Sequence, residues 1–267
     1  MDLRPIGIFD SGLGGITVLK EIIRLVPNEN TIYFGDTARF PYGPRELNQV
    51  KYFALKIAKF LLSENVKMIV IACNTSTAAA LSDIQKETCV PVIGVIEPGA
   101  RAAVSATESK RVGVIATKGT VESMAYDKAI KKIDKEIKVF SNPAPLLVDY
   151  VEKGILAGNS LEKTICEYLD PLFIESVDVL LLGCTHFPLI ENNIKDCCSS
   201  EIKVISSAVE TAKDVEKTLR KNNILNNQDN EPERKFYATA DKDTFYKSGK
   251  IFLGEKIRDV FHADIDI

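Results

Sequence analysis

IVIACNTS (69–76) and LLLGCTHFPL (180–189) decide how this chain is read. Each is a continuous apolar run that hands a cysteine to a turn of small polar residues, with a helical pattern just beyond. Such runs, apolar without alternation, suit parallel strands covered on both faces. A thiol in that position sits at the carboxyl end of a strand and near a helix N-terminus, where anions bind and thiolate is favoured over thiol. Two such thiols, one in each half of the chain, predict a facing pair across a shared site.

Outward from these runs, strand-like and helical patterns alternate. Strands are expected at Ile6–Phe9, Thr31–Gly35, Met68–Ala72, Val92–Val95, Arg111–Ala116, Ile137–Phe140, Val179–Gly183 and Lys203–Ser206. Amphipathic stretches such as Gly15–Leu25, Glu46–Glu64 and Ser160–Leu172 lie between them. This alternation predicts an α/β, doubly wound class with mostly parallel sheets. IGIFDSGLGG (6–15) resembles VGVIATKGTV (112–121), and 66 residues separate Gly7 from Cys73 where 71 separate Gly113 from Cys184. The repeat predicts two related units, although any parallel sheet repeats strand and turn chemistry. GVIEPGARAA (94–103) and ISSAVE (205–210) are the expected crossings. Asn222–Glu233 reads as an exposed loop, and the last thirty residues carry no sharp motif.

At 267 residues the chain has ample length to bury a core. Its 45% hydrophobic and 27% charged content is ordinary for a globular protein. A net charge of −3 gives no electrostatic case for nucleic acid or an anionic membrane surface. No apolar run approaches a bilayer span, and the N-terminus has no signal-peptide pattern. The six cysteines are Cys73, Cys89, Cys166, Cys184, Cys197 and Cys198. They lack metal-ligand spacing, so reduced thiols in a cytoplasm are the expectation. Cys89, Cys166, Cys197 and Cys198 read as inert small hydrophobes, the last two at a helix end.

Three turns carry chemistry. Asp10-Ser11-Gly12-Leu13-Gly14-Gly15 follows a strand and opens a helix, a setting for an anion on backbone N–H groups. Gly12-x-Gly14-x-x-Thr17 nearly matches a dinucleotide fingerprint, with Asp36 where a ribose-binding acid lies, but Thr17 replaces the third glycine and Asp10 would sit beside a pyrophosphate. Asp10 also suits a turn-capping role. DTARFPYG (36–43) is a strand-end loop of the kind that binds ligands. Cys73 precedes Asn74, Thr75, Ser76 and Thr77, which can cap a helix and offer donors to a carboxylate. Cys184 precedes Thr185, His186 and Pro188; the histidine can tune the thiol or shuttle a proton, and the proline suits a first helical turn. Two opposed thiols fit inversion of a stereocentre, in which one takes a proton from one face and the other delivers a proton to the opposite face. A cysteine tuned to about 7 or below serves this best.

Together, IGIFDSGLGG, DTARFPYG, ACNTSTA, GVIEPG, ATKGT and GCTHFPL closely resemble the glutamate racemase family, over most of residues 6–210. The resemblance implies two pseudo-symmetric α/β domains, 1–97 plus 208–267 and 98–207, enclosing the substrate between them. It implies a cofactor-independent, metal-free, two-base mechanism on Cys73 and Cys184. By the family pattern Cys73 deprotonates D-glutamate and Cys184 deprotonates L-glutamate. Asp10 and His186 match the polar neighbours of the thiols, and Glu152 in DYVEKGI (149–155) matches a further family acid. Substrate contacts carry over to Asp10, Ser11, Tyr42, Gly43, Asn74, Thr75, Thr117, Thr120, Thr185 and His186. The implied partner is glutamate, with no nucleic acid and no membrane, and a homodimer is the candidate assembly. The implied role is cytoplasmic supply of D-glutamate for peptidoglycan. Competing readings are a racemase of aspartate or hydantoins, a nicotinamide oxidoreductase, and a non-catalytic two-lobed amino-acid binder.

Overall fold

The first strand, β1 (Ile6–Asp10), is buried along its whole length. Ile6 and Ile8 enter one apolar layer and Phe9 another, as the two-residue period of a strand requires. The computed structural model describes residues 2–228 and 231–265. After β1 come α1 (Ile16–Leu25), β2 (Thr31–Gly35), α2 (Leu47–Ser63), β3 (Met68–Ile71), α3 (Asn74–Glu87), β4 (Val92–Gly94) and α4 (Ile96–Ala106). The pattern then recurs as β5 (Arg111–Ala116), α5 (Lys118–Glu122), α6 (Ala125–Ile133), β6 (Lys138–Pro143), α7 (Pro145–Glu152), α8 (Asn159–Ile174), β7 (Val179–Gly183), α9 (Glu191–Cys197) and β8 (Lys203–Ser206). The chain continues through α10 (Ser207–Lys221), β9 (Arg234–Ala238), α11 (Lys242–Leu253) and β10 (Val260–His262).

Two sheets result, in the orders β10-β9-β2-β1-β3-β4 and β6-β5-β7-β8. Every pairing in both is parallel. The segment β2-β1-β3-β4 and the whole of the second sheet share one topology, so the weak sequence repeat corresponds to a structural one. Cys73 follows β3 and Cys184 follows β7, which are equivalent strands. In each unit the chain leaves the first strand toward one neighbour and returns on its other side. That arrangement opens a crevice at the carboxyl ends, where open α/β sheets bind ligands.

Both sheets are covered on two sides. On the first, Leu19, Val70 and Val215 occupy one layer with Phe236, while Ile57, Leu61, Ile71 and Ile84 occupy the other. On the second, Leu147, Ile165 and Leu182 oppose a layer of Ala100, Val114, Ile130 and Leu181. Among the described residues no helix is long and apolar enough to cross a membrane.

Three details differ from the sequence reading. First, the chain beyond the Asn222–Glu233 loop, for which no strand was expected, forms β9 and β10, which extend the first sheet beside β2. Both are short, and β10 is partly exposed, so neither leaves an apolar run to read. Second, the Asn222–Glu233 loop is anchored at buried Asn226, whose N–H donates to Glu29 Oε1 at 2.8 Å and whose side chain donates to the Asn28 carbonyl at 2.7 Å; residues 229–230 of that loop lie outside the described residues. Third, Cys166 and Cys197 are joined as a disulfide, with Cα atoms 5.7 Å apart, rather than remaining separate thiols. Packing of α8 against α9 brings together positions 31 residues apart, which spacing alone does not reveal.

A buried ion pair ties the first unit's ends together. Lys67 Nζ lies 2.6 Å from Glu29 Oε2, with both side chains fully buried. The same ammonium donates to the carbonyls of Asp2 and Ile224. Removing one partner leaves an uncompensated buried charge. Lys67→Met is therefore expected to lower unfolding free energy by about 3–5 kcal/mol in urea titrations, and Lys67→Met with Glu29→Leu to recover only part of it, because the Asn226 N–H and the Asp2 and Ile224 carbonyls then also lose their partners. A single variant with an unshifted midpoint would contradict this.

Candidate active site

A cavity of about 370 Å³ opens between the carboxyl ends of the two sheets. Cys73 and Cys184 both line it. From the first unit Ser11, Tyr42, Gly43, Asn74 and Thr75 join them, and from the second Thr117, Thr185 and His186. Asp10 and Thr120 are buried behind this lining, and Glu152 lines a neighbouring cavity that shares Phe40 and His186.

Cys73 is itself the N-cap of α3: its sulfur accepts from the Ser76 N–H at 3.5 Å. Of the Asn/Thr/Ser cluster expected to cap this helix, Asn74 and Thr75 line the cavity instead, while the Thr77 hydroxyl donates to the Ile71 carbonyl at 3.0 Å. The thiol also lies 3.9 Å from Ser11 Oγ. Burial pushes Cys73 up to about 12, the charge of Asp10 adds to this, and the Ser76 contact opposes it. The expectation of a cysteine tuned to 7 or below fails here. Desolvation disfavours the thiolate by more than one helix terminus restores, so unliganded Cys73 is a thiol.

Cys184 is embedded differently. Its Sγ lies 3.6 Å from His186 Nδ1, and His186 Nε2 lies 2.5 Å from Glu152 Oε1 at the end of α7. Burial alone would depress the imidazolium. Hydrogen bonds to Cys184 and Glu152, with their negative charge, outweigh it and hold His186 well above its ordinary value. The Phe40 ring packs 5.7 Å from the imidazole. The expected proline turn is a short 3₁₀ segment, Phe187–Ile190, ahead of α9.

Asp10, at the end of β1, both caps its own turn and reaches the other unit. One oxygen accepts from the Gly12 N–H at 3.1 Å and the other from Thr185 Oγ1 at 3.4 Å. Burial holds its carboxyl above the ordinary range, with the charge of His186 opposing. The backbone here has no spare room: a Cβ on Gly14 would lie 2.5 Å from Thr185 Oγ1 and 2.6 Å from the His186 ring. Glycine at this position permits the turn after β1 to approach the turn that bears Cys184.

Further contacts cross the same gap. Thr75 Oγ1 lies 2.9 Å from Thr117 Oγ1 and 3.3 Å from Thr120 Oγ1. The Gly119 N–H donates to the Gly43 carbonyl at 2.9 Å. Asn74 Oδ1 accepts from Tyr126 at 2.7 Å, while Asn74 Nδ2 has no partner among the described residues. A buried donor left open on a cavity wall suits a carboxylate.

Tyr42 does not offer its hydroxyl to the cavity; that group donates to Asp36. Asp36, weighed in the sequence as a ribose-binding acid, also accepts from Arg39 at 2.7 Å and Thr239 at 2.8 Å. It is an anchor for the 36–43 loop, with no free oxygen facing a nucleotide. Sequence reasoning missed Thr239, which sits in the stretch without a motif, and Tyr126, which sits in an ordinary amphipathic helix. It also passed over Lys118, Val148 and Asp149, which line the cavity from the second unit; Lys118 lies inside the ATKGT motif, and Asp149 is one helical turn before Glu152.

The Asp/Glu/Hydantoin racemase family profile matches residues 6–215. A glutamate racemase from Geobacter metallireducens is 44% identical over 266 residues, covering 100% of this chain and 98% of that protein. The crystal structure of glutamate racemase isoform RacE1 from Bacillus anthracis superposes with a TM-score of 0.93 at 39% identity, over 100% of this chain and 99% of that one. That of glutamate racemase from Francisella tularensis, solved in complex with D-glutamate, superposes with a TM-score of 0.91 at 38% identity, over 100% and 98%.

The raised native pKa of His186 stabilises the fold fully below the unfolded-state value of about 6.5, and that contribution is lost as pH rises through the native value. The His186 ring is therefore expected to keep imidazolium chemical shifts at pH 7.5 in an NMR titration. The stability gap between wild type and His186→Asn is expected to be larger at pH 6 than at pH 10. A neutral ring at pH 7 would contradict the charged Cys184–His186–Glu152 array.

Proposed function

The chain belongs to the Asp/Glu/hydantoin racemase family, among its glutamate racemases, and interconverts L- and D-glutamate; from this premise we propose that it does so by a two-base exchange between Cys73 and Cys184, without a cofactor. The observation that carries the reading is the presence of both sulfurs, from equivalent strands of two units, in the lining of one cavity.

With L-glutamate, the Cys184 thiolate takes the α-proton, and the Cys73 thiol delivers its proton to the opposite face. Cys184 ends as thiol and Cys73 as thiolate, and D-glutamate runs the same steps backward. Buried Cys73 is suited to the acid role at rest because it holds its proton. For the reverse direction, the α-ammonium of the substrate offsets the charge of Asp10, which otherwise opposes the Cys73 thiolate. His186, linked to Glu152, holds or relays a proton at Cys184. The units 1–97 plus 208–267 and 98–207 act as two jaws. Their turns supply donors from Ser11, Asn74, Thr75, Thr117 and Thr185 to the substrate carboxylates, with Thr120 bracing the threonine cluster. Preorganised donors in a water-poor site stabilise the enolate-like charge that develops as the weakly acidic α-proton leaves. The proposal extends to a cytoplasmic enzyme that supplies D-glutamate for peptidoglycan.

Purified protein incubated with L-glutamate in deuterated water, with no cofactor added, is expected to give D-glutamate carrying one α-deuterium by chiral chromatography and mass spectrometry. Cys73→Ala and Cys184→Ala are each expected to slow racemisation by about 10²–10⁴-fold, the usual worth of a positioned acid or base. Near-normal racemisation in either variant would overturn the two-base scheme.

A further inference from the structure

Tyr126 belongs to the second unit and does not line the cavity that holds the two thiols, yet its hydroxyl ends on a residue of the first. It is buried in the apolar layer beneath α4. Its O–H donates to Asn74 Oδ1 at 2.7 Å, and Ser207 at the start of α10 lies on the same side of the ring, a Cβ on Gly99 falling 3.1 Å from Ser207 Cβ and 3.4 Å from the Tyr126 hydroxyl. The ring is clamped from below, since a Cβ on Gly183, the residue before Cys184, would approach it to 3.0 Å. One phenol thus joins the helix after Cys73, the strand that carries Cys184, and the helix leaving the second unit.

An amide has two chemically opposite ends, an acceptor oxygen and a donor nitrogen. Where the oxygen is claimed by a phenol, the NH₂ group is the end left for the cavity. Asn74 lines that cavity, and its Nδ2 is the end that lacks a partner among the described residues. We propose that Tyr126 is a positioning residue: by holding Asn74 Oδ1 across the gap between the units, it presents the Asn74 N–H donors to a carboxylate of the bound amino acid. This rests on the racemase reading of the cavity. Burial pushes the phenol well up, so it remains a donor throughout the working pH range.

A substrate carboxylate is charged in the ground state, and the α-carboxylate gains enolate-like charge as the α-proton leaves, so a donor aimed at it acts in binding and in the chemical step and its loss is read in kcat/KM. In full-length protein, Tyr126→Phe is expected to lower kcat/KM for both enantiomers by about tenfold, the worth of one hydrogen bond to a charged group. Asn74→Ala is expected to lower kcat/KM on its own by at least as much. The double variant is expected to match Asn74→Ala, because a residue that acts through another has no effect once that other is gone. A merely structural role for Tyr126 would add its cost to the double variant instead. An unmoved kcat/KM in Tyr126→Phe, or additive effects in the double variant, would each overturn the assignment. A structure of the wild type with glutamate bound serves if Tyr126→Phe does not fold: Asn74 Nδ2 within hydrogen-bond distance of a substrate carboxylate is expected, and an Asn74 amide turned away from it overturns the proposal. Wild-type protein that fails to racemise glutamate would contradict the reading of the cavity. Wild-type activity with an unaffected Tyr126→Phe would contradict only the role of Tyr126.

Discussion

Thr75 Oγ1 lies 2.9 Å from Thr117 Oγ1, Thr185 Oγ1 lies 3.4 Å from Asp10, and the Gly119 N–H reaches the Gly43 carbonyl at 2.9 Å. These contacts hold the carboxyl ends of two separate parallel sheets against one another. Each joins residues from different units, and each borders the cavity or lies directly behind its lining. Hydrogen bonds of this kind contribute about 0.5–1.5 kcal/mol apiece between neutral groups and about 1.5–3 kcal/mol to a charged one. That is enough to set a preferred approach and too little to weld the units shut. A seam of this strength suits a site that must exclude water during proton transfer and then release its product.

The seam also determines what each thiol experiences. Both sit at strand ends with a helix or helical turn behind them, and a helix terminus is worth about 0.3–1 kcal/mol to a charge. Burial acts more strongly. Cys73 has only a backbone N–H and a serine hydroxyl beside it and faces the negative charge of Asp10, so it keeps its proton. Cys184 faces a histidine that Glu152 holds in its charged form. The two halves of a topologically repeated fold thus offer chemically unlike partners to one substrate. That asymmetry gives an acid and a base without a change of fold.

Much of this was legible in the residues, for identifiable reasons. Parallel strands buried on both faces leave continuous apolar runs, so β1, β2, β3, β5 and β7 stood out, and the partly exposed edge strands β6 and β8 were placed by the alternation around them. Strand-end turns are short and local, so Asp10, Asn74, Thr117, Thr185 and His186 could be named from motifs. β9 and β10 left no such trace, because short, partly exposed strands added beside β2 need only a few apolar positions. Asp36 was noticed for the wrong reason: its position at a strand end and its bond to Tyr42 are local, but its bond to Thr239 depends on a C-terminal segment that returns some 200 residues later. Tyr126 was invisible because its role lies in one hydrogen bond across the gap. The effect of helix termini on Cys73 was overestimated, since depth of burial is a property of the assembled layers and not of the sequence around the thiol.

The account stands on two sulfurs addressing one carbon from opposite sides, and a crystal structure with glutamate bound tests that most directly. It predicts the substrate α-carbon between Cys73 Sγ and Cys184 Sγ, on opposite faces of the stereocentre, each within about 3.5 Å in a reaction-ready geometry. A ligand whose α-carbon meets only one sulfur, or both on the same face, would contradict it.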